Sequence, residues 1–312
     1  MTTALTILPV FAVAVAGYVL ARLGAIQPRD TAGLSRYVFV FALPVMLFQS
    51  MATVALPENV VWPHLLAYYL PTFTIFLLAV VLGRGLFRRE RREAGLLGMG
   101  AAFSNTVLIG IPVISAAWGE EALLPLLTII AVHAASLIAV TTLLVESAGD
   151  DRPGIGTILA RTGRGMARNP LIGGIVLGLL VNSLGIVLPG PVVRTATLIR
   201  GSAVPAALFV AGASLREYRI AGRLGEAVML SVAKLVLHPA LVWLMAGPVL
   251  GLPPRWAAVA TVTAALPVGI NVTVFARRYE ASVAPVVSAT LLTTLLSMLT
   301  LSTLLVLLDP GR

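Results

Sequence analysis

Ser104 and Asn105 stand near the middle of the apolar stretch GMGAAFSNTVLIGIPVISAAWGEE, Gly98 to Glu121, with Gly110 and Pro112 a few residues on. A second stretch, AALPVGINVTVFARRY, carries Pro267, Val268 and Asn271. An amide or hydroxyl offers hydrogen bonds, and a broken helix end offers backbone N–H groups whose partial positive charge suits an anion. In hydrocarbon an unpaired backbone group costs several kcal/mol, so such interruptions persist only where protein or a watery cavity supplies partners. Both stretches are therefore expected to be broken helices, with Pro112 and Pro267 as the breakers. A membrane asparagine more often joins two helices than binds a ligand. Position beside the break raises Asn105 to a candidate donor, and Asn271, one turn beyond Pro267, is the weaker one.

Other polar groups at depth are few. His133, in IIAVHAASLI, either donates to a substrate carboxylate, carries a coupling proton, or is a neutral ring bonded to a nearby carbonyl. Lys234, in SVAKLVLHPALVW, is the only lysine; it is expected to snorkel to the interface, with an ion- or proton-coupling role as the alternative. His64 and His238 are expected at the interface. No Asp or Glu falls inside an apolar stretch, so a proton relay or sodium site built on intramembrane carboxylates is unavailable. Carbonyls and hydroxyls could still hold sodium. The sequence has no GxxxxGK, HExxH or GxSxG motif, so no catalytic residue, cofactor or metal is implied and the chain is not read as an enzyme. With no cysteine, disulfides and thiolate metal sites are excluded.

The elements that must hold these residues follow from composition. Of 312 residues 58% are hydrophobic and 11% charged, which describes an all-α integral membrane protein. Stretches of about 20 apolar residues number ten: 5–23, 35–54, 65–86, 95–118, 123–145, 171–188, 195–215, 227–250, 257–276 and 283–308. Seventeen of the 22 basic residues follow odd-numbered spans and four follow even-numbered spans or lie at the termini, with Lys234 alone inside a span. That asymmetry puts the seventeen in the cytoplasm and both termini outside, in the cell (inner) membrane. It also accounts for the net charge of +9 without a nucleic-acid partner. Gly17, Gly24, Pro28, Pro44, Leu47 and Phe48 recur at offset 161 as Gly178, Gly185, Pro189, Pro205, Leu208 and Phe209, and AAFS (101–104) meets AALP (264–267) at offset 163. The chain thus reads as a five-helix repeat at 1–146, a cytoplasmic linker at 147–168 and a second repeat at 169–312. An odd number of spans per half makes the repeats inverted, the arrangement of secondary transporters that bind substrate at the midplane on interrupted helices.

AFSNTVLIGIPVISAAWG and AALPVGINVTVFARRY resemble the auxin efflux carrier family, PIN-like transporters that include plant auxin exporters and bacterial carriers of malate or malonate. FALPVMLFQSMA (41–52), NPLIGGIVLGLLV and KLVLHPALV look like its second, sixth and eighth spans, so the resemblance covers the whole chain. It implies a scaffold of spans 1, 2, 6 and 7, a transport part of spans 3 to 5 and 8 to 10, and crossing broken spans 4 and 9 moved by an elevator motion. It implies a homodimer formed through the scaffold. The family's crossing prolines fall on Ser104 and Pro267, its substrate asparagine on Asn105, a span-five glutamine on His133 and a span-two apolar contact on Met51, with Gln49 nearby. The expected function is secondary transport of a small organic anion across the bilayer. The alternatives are a sodium-coupled symporter similar to bile-acid carriers and a non-transporting membrane sensor.

Overall fold

The computed structural model describes residues 2–54, 61–147, 154–220, 222 and 224–309. These residues are helical almost throughout. In chain order the helices are α1 (Thr2–Arg22), α2 (Pro28–Thr53), α3 (Val61–Gly85), α4 (Arg91–Ala102), α5 (Thr106–Trp118), α6 (Glu120–Glu146) and α7 (Ile155–Ala167). They continue as α8 (Pro170–Ser183), α9 (Gly190–Glu217), α10 (Leu224–Val249), α11 (Pro254–Ala264), α12 (Ile270–Arg278) and α13 (Val283–Leu307). Among the described residues the sole β feature is one antiparallel bridge, Ser104 with Val268.

Each of the ten apolar stretches lies largely on helix, the fourth and the ninth with an interruption inside them. Among the described residues six helices, α2, α3, α6, α9, α10 and α13, are long and apolar enough to cross a membrane, and α7 with α8 forms a bent seventh candidate. Large apolar side chains such as Leu77, Leu198 and Leu299 are exposed on these helices, as a bilayer solvent permits. The chain is a multi-pass, all-helical membrane protein. Of the linker at 147–168, positions 148–153 lie outside the described residues, and α7 occupies most of the remainder. Asn169 then starts α8: its side chain accepts from the Leu171 amide at 3.0 Å, and Pro170 takes the first helical position, where an N–H is dispensable.

Proline breaks fewer helices than expected. Wide π-turns at Val38–Ala42, Thr106–Gly110 and Ala233–Leu237 immediately precede Pro44, Pro112 and Pro239. The widened turn makes room for the ring and absorbs the missing N–H. The expectation that Pro112 is the breaker of the fourth apolar stretch is corrected here: Pro112 is buried within continuous α5, and the interruption lies earlier, at 103–105.

The chain divides into two compact units. The first comprises Met1–Glu58, Val107–Leu127 and Arg164–Glu217. Within it α1 packs closely on α9 and α2 on α8, through glycines facing backbone. A Cβ on Gly17 would collide with the Phe209 carbonyl, and one on Gly178 with the Phe48 carbonyl. These are the same contact with both residues exchanged for their partners at offset 161. Gly212 faces the Ala14 carbonyl so closely that a Cβ has no space. Gly212→Ala is therefore expected to force α1 and α9 apart, costing roughly 1–3 kcal/mol or more; an unchanged melting temperature of the purified variant would refute this packing.

The second unit comprises Asn59–Thr106, Thr128–Gly163 and Tyr218–Arg312. Its apolar core includes Phe76, Leu97, Met99, Leu230, Val272 and Val286. In the connection between α3 and α4, Arg89 donates Nε to Glu226 Oε1 at 2.6 Å, Nη2 to Glu226 Oε2 at 3.0 Å and Nη1 to Glu93 Oε1 at 2.9 Å. The bonds to Glu226 hold the Arg89 guanidinium above its ordinary pKa.

Candidate functional site

The second unit contains two chain breaks bonded to each other. α4 ends at Ala102, Phe103 turns extended, and the helix resumes at Thr106; α11 ends at Ala264 and α12 starts at Ile270. Between them, the Asn105 amide donates to the Pro267 carbonyl at 2.9 Å and the Gly269 amide to the Phe103 carbonyl at 3.0 Å. The remaining amides of the breaks are also satisfied. Ser104 N–H donates to His133 Nε2 at 3.0 Å, Val268 N–H to Thr293 Oγ1 at 3.1 Å, and Thr106 N–H to the Ser104 carbonyl at 2.9 Å. Interrupted backbone is stable at this depth because each break is the other's partner and neighbouring helices supply the rest. Beyond the breaks the first-turn amides of the resumed helices are the open ones; among the described residues, Ile270 and Asn271 at the amino end of α12 show no backbone partner.

Buried polar side chains converge on Ser104. Lys234 Nζ donates to the Ala264 carbonyl at 2.6 Å and to Ser104 Oγ at 2.7 Å, and lies 3.1 Å from His238 Nδ1. The hydrogen-bond directions follow from counting protons. Thr72 Oγ1 donates to the Tyr68 carbonyl at 2.6 Å, so at the 2.9 Å contact with His238 Nε2 it must accept. His238 therefore carries its proton on Nε2 and accepts from Lys234 at Nδ1. Ser104 Oγ, having accepted from the lysine, has its own proton for Tyr68 Oη at 3.2 Å. Ser104, Tyr68, Thr72, Lys234 and His238 are fully buried.

His133 is fixed by the same logic. Its Nε2 accepts from the Ser104 amide, so in the neutral ring the proton is on Nδ1. That Nδ1 is buried and has no hydrogen-bond partner among the described residues. Phe103 and Tyr68 flank the ring, with centroids at 4.7 and 5.8 Å. A proline at position 104 would have no N–H for this histidine to accept, so serine and histidine at these two positions depend on each other.

The structure thus brings together Ser104, Asn105, His133, Lys234, Pro267 and Val268. Asn105 is half-buried, and its side-chain amide makes no hydrogen bond among the described residues. Asn271 is the second residue of α12 and is exposed. Met51, Gln49 and Pro112 belong to the first unit, where Met51 is buried and Gln49 Nε2 donates to Thr197 Oγ1 at 2.8 Å. Two expectations are corrected. Lys234 does not snorkel; it is wholly buried because three acceptors inside the unit take its protons. His64 and His238 are not interfacial but buried, His238 within the lysine network and His64 edge-on to Trp256 at 4.8 Å. Sequence reasoning missed Tyr68, Thr72 and Thr293. A signal was present: Tyr68 with Thr72, and Lys234 with His238, are each four apart and so share a helix face.

Two helical stretches interrupted beside each other and bonded break to break, with a buried polar network against them, belong to a multi-pass, all-helical membrane protein. The comparison with known sequences gives the family. The profile of the membrane transport protein family matches residues 2–305, and the chain belongs to that family. A Rhizobium meliloti (strain 1021) protein named "Putative malonate transporter" is 28% identical over 306 residues, 98% of this chain and 95% of its own. The Mus musculus "Lysosomal cholesterol signaling protein" is 30% identical over 112 residues, 35% of this chain and 13% of its own length. The resemblance to auxin efflux carriers is thereby borne out. The role that family membership implies is transport, not catalysis.

Proposed function

We propose that this chain is a secondary transporter of a small organic anion, a mono- or dicarboxylate of the malonate, malate or auxin type. The observation that carries the reading is the half-buried Asn105 amide, unpaired beside two mutually bonded helix breaks. Its companions are the unpartnered His133 Nδ1–H and the free amides at the amino end of α12, where the helix dipole is positive. All are donors, as a carboxylate needs. The relative named as a malonate transporter, matched over nearly its full length, supports the same substrate class.

The alternating-access frame belongs to the proposal. Ten spans form two inverted repeats, and the exchanged contacts Gly17–Phe209 and Gly178–Phe48 support that pairing. Spans 1, 2, 6 and 7 serve as the scaffold of a homodimer, and spans 3 to 5 and 8 to 10 carry the anion in an elevator motion. The protein sits in the cell membrane with both termini outside, as the distribution of basic residues supports.

Asn105→Ala tests the site. A hydrogen bond to a carboxylate is worth about 1.5–3 kcal/mol, so the variant is expected to lose roughly ten- to a hundredfold in malonate affinity. It should remain folded, because the Asn105 backbone bond to Pro267 survives. Flux of labelled malonate into proteoliposomes equal to wild type would sink the assignment.

A further inference from the structure

The lysine is not used by this reading. An ammonium has three N–H donors and no acceptor, and at Lys234 all three are taken, by Ala264 O at 2.6 Å, Ser104 Oγ at 2.7 Å and His238 Nδ1 at 3.1 Å. No donor is left for a substrate carboxylate. Nor does it have a counter-ion, since among the described residues no ion pair includes Lys234. The groups around Nζ offer lone pairs from a carbonyl, a hydroxyl and a ring nitrogen, as the shell of a small cation would. The carbonyl belongs to the last residue of α11, the negative end of that helix. The hydroxyl belongs to the other break. A positive charge at this point therefore joins the carboxyl end of one interrupted span to the interruption of the other.

We propose that Lys234 is a tethered cation, occupying a site for a monovalent ion between the two breaks, so that the paired breaks assemble without a bound metal ion. Only its consequence for flux rests on the transporter reading; the ion's role in assembly is measured with no organic anion present. The purified protein is expected to melt at the same temperature in sodium, potassium or choline chloride of equal ionic strength. Lys234→Ala, which deletes three methylenes and the amine, should melt roughly 5–10 °C lower and regain most of that loss in n-propylammonium chloride. Neutral n-propanol, which fills the same space, should not restore it. Lys234→Met fills the space without charge and should stay low in both.

A Met variant as stable as wild type would overturn the proposal, as would failure of n-propylammonium to restore the Ala variant or equal restoration by n-propanol. So would specific stabilisation of wild type by sodium, a measurement that decides even where a variant does not fold. Sodium-indifferent melting together with absent malonate flux would remove the transporter reading and leave this one standing.

Discussion

Gly269→Val is expected to abolish transport, because it pushes the two chain breaks apart. A Cβ at Gly269 would lie 2.6 Å from Phe103 Cδ1, 3.0 Å from Cε1 and 3.1 Å from the Ser104 carbonyl. The glycine φ is −73°, a value open to any residue, so the requirement is for space and not for backbone freedom. Phe103 has little room to yield, being 4% exposed and packed against His133. The collision falls on the residue whose carbonyl accepts the Gly269 amide, and loss of that bond strands a donor and an acceptor inside the membrane. Overpacking costs about 1–3 kcal/mol, and each stranded buried group about 1–3 kcal/mol more. Flux in proteoliposomes should fall more than tenfold, and the melting temperature should drop. Trimming the ring in the double variant Phe103→Ala, Gly269→Ala should recover part of both. Gly173→Ala is the control, since a Cβ there meets nothing within 4 Å. Wild-type flux in Gly269→Val would mean the breaks do not need this contact.

How far the sequence led to this point differs from residue to residue. Hydropathy placed the apolar segments, because a bilayer imposes length and apolarity on any helix that crosses it. The family resemblance put the crossing positions on Ser104 and Pro267, which fall in the two interruptions. Pro112 misled because a proline in sequence looks the same whether a π-turn absorbs it or not, and that turn depends on backbone beyond the local pattern. Lys234 and His238 misled for a different reason. Depth along a helix says nothing about what packs against it, and their acceptors come from residues far away in sequence, Ser104, Ala264 and Thr72. The pairing of Ser104 with His133 was also beyond reach, although each departure from the family pattern had been visible singly. Only the contact between them explains why a serine amide in place of a proline requires an acceptor on α6.

Arg89→Met is expected to have the largest effect on stability, far from the breaks. Glu226 opens the helix that carries Lys234, has no exposed side-chain surface, and receives two bonds from one guanidinium in fork geometry. A surface ion pair would contribute under about 1 kcal/mol. This pair differs because removing the arginine leaves a carboxylate with neither water nor a partner charge, a loss of roughly 3–5 kcal/mol when one half of a buried pair is deleted. Glu93 makes matters worse, since it too loses its bond to Arg89 and adds like charge nearby. The worth of the pair and the cost of half a pair are different quantities. Replacing both, in Arg89→Met, Glu226→Leu, should therefore restore most of the stability lost in the single variant, because two apolar side chains in the same volume need no partners. Thermal unfolding of the four proteins in detergent measures the coupling directly. If Arg89→Met melts with wild type, the guanidinium is not what holds the start of α10 to the connection between α3 and α4. If the double variant melts as low as the single one, the fork contributes on its own account and not merely by neutralising Glu226.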